Sequence, residues 1–207
     1  YQLARHGYKN ITIYEAFSKP GGMLRYGIPD YRLPQDVLDK EIQRVIDMGI
    51  ELKTNTIIGK DISYEKLQEE SDAIFVGIGA HKGKSLRLEH EDAENVMSGV
   101  YFLNMINKGK PVEVGDKVLV VGGGDTAIDA ARISRRLGAE VTIVYRRTRN
   151  EMPAIEEEIV GAEEEGVKME FLVAPNELIL DENGRVKAMK CQKMELGEPD
   201  SSGRRRP

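Results

Sequence analysis

The chain's most informative segment spans residues 117–147 and reads KVLVVGGGDTAIDAARISRRLGAEVTIVYRR. Residues 118–121 form a short, β-branched apolar run, which is typical of a buried parallel strand. Apolar residues at helical spacing follow and stop at Gly138, after which residues 141–144 form a second apolar run. The segment therefore predicts one strand–helix–strand unit with both strands in a parallel sheet.

A glycine pattern lies at the first turn of this unit. Gly122, Gly124 and Ala127 fit G-x-G-x-x-A, which indicates a dinucleotide site when it joins a strand to a helix. Gly122 permits the tight turn, Gly124 leaves room for a pyrophosphate, and Ala127 lets the helix lie close to the strand. The N–H groups and positive dipole end of the helix favour phosphate there. We therefore predict a nucleotide site at this turn.

Two consecutive arginines, Arg146 and Arg147, follow the second strand. Enzymes that prefer NAD usually place Asp or Glu at this position, where the carboxylate holds the ribose 2′-hydroxyl. A carboxylate would repel a 2′-phosphate, whereas guanidinium groups can hold one through paired hydrogen bonds. The arginines therefore predict a preference for NADPH over NADH. The alternative interpretation is a solvated basic strand end.

The composition narrows the class of protein. A length of 207 residues suits one large domain or two small ones, and the net charge of −5 gives no indication of nucleic-acid binding. No apolar run approaches the roughly 20 residues of a membrane span. The single cysteine, Cys191, excludes an internal disulfide framework and a cysteine-bound metal or iron–sulfur cluster within this chain. We expect a cytoplasmic protein in which Cys191 is buried or half-buried.

A second copy of the strand-end pattern lies at the N-terminus. Glu15 follows Gly7 by eight residues, just as Arg146 follows Gly138 by eight residues. An acid at this position predicts a ribose with free hydroxyls, as in FAD or NAD, unless Glu15 is an ordinary acidic strand end. The matching glycine fingerprint would precede Tyr1, so we expect the chain to be a fragment cut at both ends.

Residues 19–34, KPGGMLRYGIPDYRLP, predict a shaped loop, because three prolines and three glycines disfavour a regular element. Arg25 and Arg32 are its candidates for contact with an anionic group, and the alternative is a packing loop. Elsewhere the patterns predict helices over residues 35–48, 64–70 and 96–108 and from Pro153, strands over 51–58, 73–78 and 167–173, a hairpin turning at 181–184, and a domain boundary at 109–111.

Three motifs together resemble a known family: residues 20–34, residues 120–132 (VVGGGDTAIDAAR) and residues 144–154 (VYRRTRNEMPA). They resemble the small (beta) subunit of NADPH-dependent glutamate synthase, whose module is shared with dihydropyrimidine dehydrogenase and the NADH-dependent ferredoxin:NADP oxidoreductase. The resemblance covers nearly the whole chain. It implies an α/β fold of Rossmann-like three-layer nucleotide-binding domains, with an NAD(P)-binding domain inserted in an FAD-binding domain of disulfide-reductase type.

The resemblance also implies two cofactor sites and a division of the chain. Residues 1–110 would be a partial FAD-binding domain, and residues 111–207 an NADPH-binding domain that is incomplete at its C-terminus. Positions around FAD are matched by Glu15, Gly21, Gly22, Met23, Arg32 and Ile58. Positions around NADPH are matched by Gly123, Gly124, Asp125, Thr126, Arg146 and Arg147, beside Gly122 of the fingerprint.

The implied activity needs no catalytic side chain from this protein. Hydride would pass from nicotinamide to flavin, and electrons would continue to iron–sulfur clusters in missing segments or in a partner. The expected partner is a large catalytic subunit or a ferredoxin-like iron–sulfur protein, with no nucleic acid and no membrane. The alternatives are another pyridine-nucleotide-disulfide-type reductase, a ferredoxin:NADP oxidoreductase subunit and a non-catalytic nucleotide-binding module. Neither the terminal electron acceptor nor the oligomeric state follows from the sequence.

Overall fold

The computed structural model describes residues 1–201 and 203–207, which fall into two units, Tyr1–Ala80 and His81–Pro207. The division comes earlier in the chain than the predicted boundary at residues 109–111. Residues 81–110 therefore belong structurally to the second unit. The functional division of the chain at residue 110 stays a prediction.

The first unit holds a small parallel sheet and four helices. Its two strands pair in parallel, with Thr12 opposite Glu51 and Tyr14 opposite Lys53. The elements are α1 (Gln2–Arg5), β1 (Thr12–Tyr14), α2 (Gly22–Tyr26), α3 (Gln35–Ile46), β2 (Glu51–Lys53) and α4 (Tyr64–Glu70).

Three local predictions for the first unit are wrong. Residues 73–78 pair with no strand of the described chain, and Phe75 is 92% exposed. An apolar run becomes a strand only where neighbours supply its hydrogen bonds, and periodicity does not supply them. The strand predicted over residues 51–58 stops at Lys53, and Asn55 has a left-handed φ of 53°, which interrupts extended backbone. Residues 19–34 contain the short helix α2.

The second unit contains a three-stranded parallel sheet and an antiparallel hairpin. The order in the sheet is β3-β4-β5, and β6 pairs with β7 in the hairpin. The elements are α5 (Gly99–Asn107), β3 (Lys117–Val121), α6 (Asp125–Arg136), β4 (Glu140–Tyr145), a 3₁₀ turn (Arg149–Glu151), α7 (Glu156–Glu164), β5 (Lys168–Phe171), β6 (Val173–Leu180) and β7 (Val186–Lys193).

The core of the second unit lies around β4, the middle strand. Val141 and Ile143 of this strand are fully buried, and Ile128 of α6 and Ile159 of α7 pack in the same cluster. A strand buried on both faces reads as a continuous apolar run, which explains why the sequence pattern identified it. The strand–helix–strand unit predicted for residues 117–147 is confirmed, as is the hairpin that turns at residues 181–184.

Two predictions for the second unit are wrong. Helix α7 begins at Glu156 and not at Pro153, because the N–H groups of Ala154 and Ile155 bond to Gly123 O and Asp125 Oδ1. Cys191 is exposed on β7, although its strand-like segment predicted a buried or half-buried side chain. No helix among the described residues is long and apolar enough to cross a membrane. The same residues contain no cluster of metal-ligating side chains.

Candidate functional site

Gly122 makes the turn that ends β3. Its φ of +139° lies in a region that L side chains rarely adopt, and its N–H donates to Val144 O at 3.1 Å. A Cβ here would lie 3.2 Å from Ala127 Cβ. Gly122 therefore lets the chain turn directly from the strand into α6 while the helix stays close, as the fingerprint predicted.

Gly123 and Gly124 have different surroundings. A Cβ on Gly123 would lie 2.7 to 2.9 Å from three atoms of the Tyr145 ring, so this glycine is a packing position. The nearest neighbour of a Cβ on Gly124 would be Pro153 Cγ, at 3.8 Å. Gly124 is thus the glycine at which backbone is open to a ligand.

The N-terminus of α6 lies directly beside this opening. Gly124 is the N-cap residue, and no described side chain caps the helix there. The first N–H groups of the helix have no partner within it, and they carry the positive end of the helix dipole. The carboxylate of Asp125 accepts a hydrogen bond from Ile155 N at 3.1 Å, and Thr126 is exposed. Asp125 therefore fixes the loop before α7, and Thr126 offers a hydroxyl at the surface.

The two arginines after β4 lie in different environments. Arg146 is exposed and makes no ion pair with a described residue. Arg147 is 5% exposed, and its guanidinium bonds to Asp200 Oδ2 at 2.7 Å and to Arg205 O at 2.6 Å. Of the two, only Arg146 presents its side chain to a ligand in solution.

The loop between β4 and α7 is tied together by its own polar groups. Thr148 and Glu151 form a reciprocal capping box, and the Thr148 hydroxyl bond is the main cause that lowers the pKa of Glu151. Arg149 pairs with Glu163 and Glu156, which raise the pKa of its guanidinium. Arg149 is therefore engaged with α7, although it follows Arg146 closely in the sequence.

In the first unit, the candidate FAD residues lie at the end of β1 and in the segment that follows. Glu15 is half-buried, and its Oε1 accepts a hydrogen bond from Phe17 N at 2.9 Å. Gly21 and Gly22 both have positive φ, and a Cβ on Gly22 would meet nothing within 4 Å. Met23 is half-buried, with its side chain against Gly27. The backbone at Gly22 is thus open to an approaching group.

The other candidates of this unit differ in accessibility. Arg25, a candidate anion ligand, is 4% exposed and bonds to Pro20 O, Gln35 Oε1 and Asp39. Its contacts fix the loop before α3, so the structure does not support the ligand role. Arg32 is half-buried and interacts with other residues of the chain, and Ile58 is 38% exposed.

Sequence reasoning missed the residues that hold the second unit's site from a distance. Asp200 contacts Arg147 across 53 residues of sequence, and Arg132 of α6 pairs with Glu158 and Glu165 across 26 and 33 residues. No local pattern identifies such pairs, since they depend on how the elements pack.

A family model for pyridine nucleotide-disulphide oxidoreductases matches residues 2–198. Among curated relatives, the chain is 47% identical to the NADPH-Fe(3+) oxidoreductase subunit beta of Geobacter sulfurreducens, with all of this chain and 32% of that protein covered. It is 46% identical to the NADP(+)-dependent formate dehydrogenase subunit beta of Moorella thermoacetica, again over all of this chain and over 30% of the relative. The chain thus spans about a third of the length of these relatives.

The predicted resemblance to glutamate synthase is confirmed. The small chain of the NADPH-dependent enzyme from Escherichia coli is 37% identical over 99% of this chain and 46% of its own length. Among solved structures, FprA from Mycobacterium tuberculosis in complex with NADPH superposes with a TM-score of 0.85 at 18% identity, over 99% of this chain and 62% of FprA. At that identity the likeness concerns the fold alone, and it confirms the predicted fold class.

Proposed function

The chain belongs to the pyridine nucleotide-disulphide oxidoreductase family, and we propose that its second unit binds NADPH for an electron-input flavoprotein. In the whole protein, the nicotinamide would reduce FAD, and electrons would then pass to iron–sulfur clusters outside this chain. Residues 1–110 would contribute to the FAD domain and residues 111–207 to the NADPH domain. A cytoplasmic location is part of the same proposal.

This proposal rests on the nearness of the glycine turn after β3 to the arginine pair after β4. Strands β3 and β4 are parallel neighbours, so the turn at Gly122 and the arginine pair after β4 lie at the same edge of the sheet. Gly124 leaves open space at the N-terminus of α6, where a pyrophosphate is favoured by backbone N–H groups and the helix dipole. Arg146 is the exposed cation at this edge, where an adenosine 2′-phosphate would lie.

The protein's own groups would bind and orient, while the nicotinamide and flavin supply the hydride chemistry. The first N–H groups of α6 would hold the pyrophosphate, and Arg146 would hold the 2′-phosphate through paired hydrogen bonds. Gly122 and Gly123 would keep the turn close to the helix and to Tyr145, so that the backbone is rigid when the ligand arrives. This division needs no acid, base or nucleophile from the chain.

The residues of the first unit fit part of an FAD site. Glu15, at the end of β1, would accept from ribose hydroxyls, and the open backbone at Gly22 would admit a phosphate or the ring system. Gly21, Met23, Arg32 and Ile58 complete the proposed set.

The relatives guide the proposal for partners. Their names describe subunits of an NADPH-Fe(3+) oxidoreductase, a formate dehydrogenase and a glutamate synthase, so a larger catalytic subunit or a ferredoxin-like iron–sulfur partner would accept the electrons. Flavin absorbance in the full-length protein would support the flavoenzyme proposal. Its absence from freshly purified and FAD-reconstituted protein would favour a non-catalytic nucleotide-binding module.

Calorimetric titration of the 207-residue chain with NADPH and NADH tests the nucleotide proposal. The unchanged chain is expected to bind NADPH more tightly, and Arg146→Ala to weaken NADPH by about tenfold, the value of one charge-assisted hydrogen bond or more. The affinity for NADH should change by less than about twofold, since NADH lacks the 2′-phosphate. Arg149→Ala is the matched control, because Arg149 is already paired with α7, and it should keep the preference. Equal losses for both nucleotides in Arg146→Ala would contradict the assignment, as would an unchanged chain that binds neither.

A further inference from the structure

A short hairpin at the C-terminal end of the chain is seated on the loop after β4. This tail hairpin comprises residues 197–206, described except for residue 202. Its two arms are joined by hydrogen bonds from Gly197 N to Arg206 O at 2.8 Å and from Arg206 N to Glu198 O at 3.0 Å. Near its tip, Asp200 N donates to Arg204 O at 2.7 Å. The described residues of the tail hairpin are thus paired through their own backbone.

Arg147 joins the tail hairpin to the parallel sheet. Its Nε donates to Arg205 O at 2.6 Å and its Nη2 to Asp200 Oδ2 at 2.7 Å. Its own carbonyl accepts from Leu172 N at 3.1 Å, between β5 and β6. Arg147 is therefore fixed through both its side chain and its main chain, and only 6% of its side chain is exposed.

The fixed position of Arg147 has a consequence for its neighbour. Arg146 shares a peptide bond with Arg147 in the bend that follows β4, and Arg146 is exposed where Arg147 is buried. With Arg147 held in the protein, Arg146 is directed outward, which agrees with its exposure. A cation presented from fixed backbone loses less freedom on binding than one on a mobile loop.

Asp200 is the charge that makes this arrangement stable. A guanidinium as buried as that of Arg147 needs a paired carboxylate, since an uncompensated buried charge strongly destabilises its surroundings. The carboxylate of Asp200 is 23% exposed and supplies this compensation. If the carboxylate is removed, the guanidinium of Arg147 is left buried without a paired charge, which favours its movement toward water. The backbone that carries Arg146 then loses the contacts that fix it.

We propose that Asp200 and Arg147 are positioning residues for selectivity toward the 2′-phosphate of NADPH, and that they act by fixing Arg146. The inference rests on the proposed NADPH binding and assigns different roles to the two arginines. Arg146 contacts the phosphate, whereas Arg147 anchors the tail hairpin. Selectivity then depends on a carboxylate that lies outside the strand–helix–strand unit.

The test measures the ratio of the NADH and NADPH dissociation constants for Asp200→Ala, Asp200→Asn and Arg147→Lys in the 207-residue chain. Asp200→Ala should lower this ratio by about tenfold, nearly all of it through weaker binding of NADPH. The reason is that a displaced Arg146 loses its charge-assisted hydrogen bond to the 2′-phosphate. Asp200→Asn keeps an acceptor oxygen for Arg147 and should restore part of the ratio. The matched control is Glu177→Ala, which removes an exposed ion pair with Lys190 on the β6–β7 hairpin and should leave the ratio unchanged.

A merely structural role would weaken both nucleotides by the same factor, so equal losses in Asp200→Ala would overturn the inference. Should Asp200→Ala lose its folded circular dichroism, Arg147→Lys decides, because lysine keeps the charge but lacks the planar guanidinium whose Nε and Nη2 reach Arg205 O and Asp200 separately. An unchanged ratio in Arg147→Lys would then overturn the inference. If the preference for NADPH depends on Arg146 but on neither Asp200 nor Arg147, the inference is wrong and the proposed NADPH binding stands. If the chain without substitutions shows no preference for NADPH, both the proposed cofactor and the inference are wrong.

Discussion

Replacing Gly123 with alanine would place a methyl group 2.7 to 2.9 Å from three atoms of the Tyr145 ring. Carbon atoms pack without strain at about 3.5 to 4.0 Å, so the overlap is close to 1 Å. The ring cannot easily move, because it is 7% exposed and its hydroxyl donates to Glu151 O at 2.8 Å. Overpacking of this kind costs about 1 to 3 kcal/mol, and we expect Gly123→Ala to lower the free energy of unfolding by that amount.

Gly124→Ala is the matched comparison one residue along the chain. Gly124 has an ordinary φ of −97°, and the nearest neighbour of its added Cβ would be Pro153 Cγ at 3.8 Å. We expect the free energy of unfolding to change by less than about 0.5 kcal/mol, since the methyl group enters open space. Nucleotide affinity should fall, because that space is where a pyrophosphate would approach the N-terminus of α6.

Urea unfolding and calorimetric nucleotide titration of both variants check the pair. A second mutation, Tyr145→Leu, should recover part of the stability lost in Gly123→Ala, since it removes the ring that the methyl group meets. The resulting coupling energy in the double-mutant cycle should be about 1 kcal/mol. The packing argument would be refuted by a Gly123→Ala variant as stable as the unchanged chain, or by additive effects of the two mutations. Unaltered nucleotide affinity in Gly124→Ala would refute the assignment of the open side.

Two further predictions concern contacts outside the nucleotide turn. Burial raises the pKa of Glu165, but hydrogen bonds from Arg132 and Arg136 outweigh it and lower the pKa below the ordinary 4.5. Its ion pairs therefore stabilise the fold above about pH 4.5 and lose that contribution as the pH falls through the lowered pKa, so Glu165→Gln should show a smaller loss of stability between pH 6 and pH 3. Equal pH dependence of the urea midpoint in both proteins would contradict this. Asn95 makes two hydrogen bonds of 2.8 Å with the backbone of Val186, at the start of β7. Asn95→Ala should therefore accelerate amide hydrogen exchange at Val186 about tenfold. An unchanged exchange rate would show that Asn95 does not stabilise this end of the β6–β7 hairpin.

Those parts of the fold that depend on neighbours in sequence were predictable. Residues 117–147 encode their own turn and helix through glycine spacing and apolar periodicity, and the structure reproduces them with β3 beside β4. The turn at residues 181–184 was likewise predictable, because Asp181 accepts from Asn183 and Arg185 within the turn itself. In both cases the side chains that stabilise the element belong to the same short segment.

Predictions failed where a segment depends on distant partners. Phe75 and Ile78 belong to an apolar run typical of a buried strand, yet they are 92% and 81% exposed because no described strand pairs with that run. For Cys191 the predicted strand is present, but its predicted burial is not. It occupies a strand as predicted, but the strand belongs to a two-stranded hairpin with one face open to solvent. A pattern specifies which residues are apolar, and the fold decides what covers them.

The arginine pair shows why a motif can identify a site without assigning its residues. Arg146 and Arg147 have the same chemistry and adjacent positions, so a basic strand end predicts two equivalent ligands for a 2′-phosphate. Burial distinguishes them, because only one side of the backbone at this point faces solvent, and the carboxylate of Asp200 compensates the arginine on the other side. The local pattern therefore locates the phosphate site, and a contact made 53 residues away decides which guanidinium is available to it.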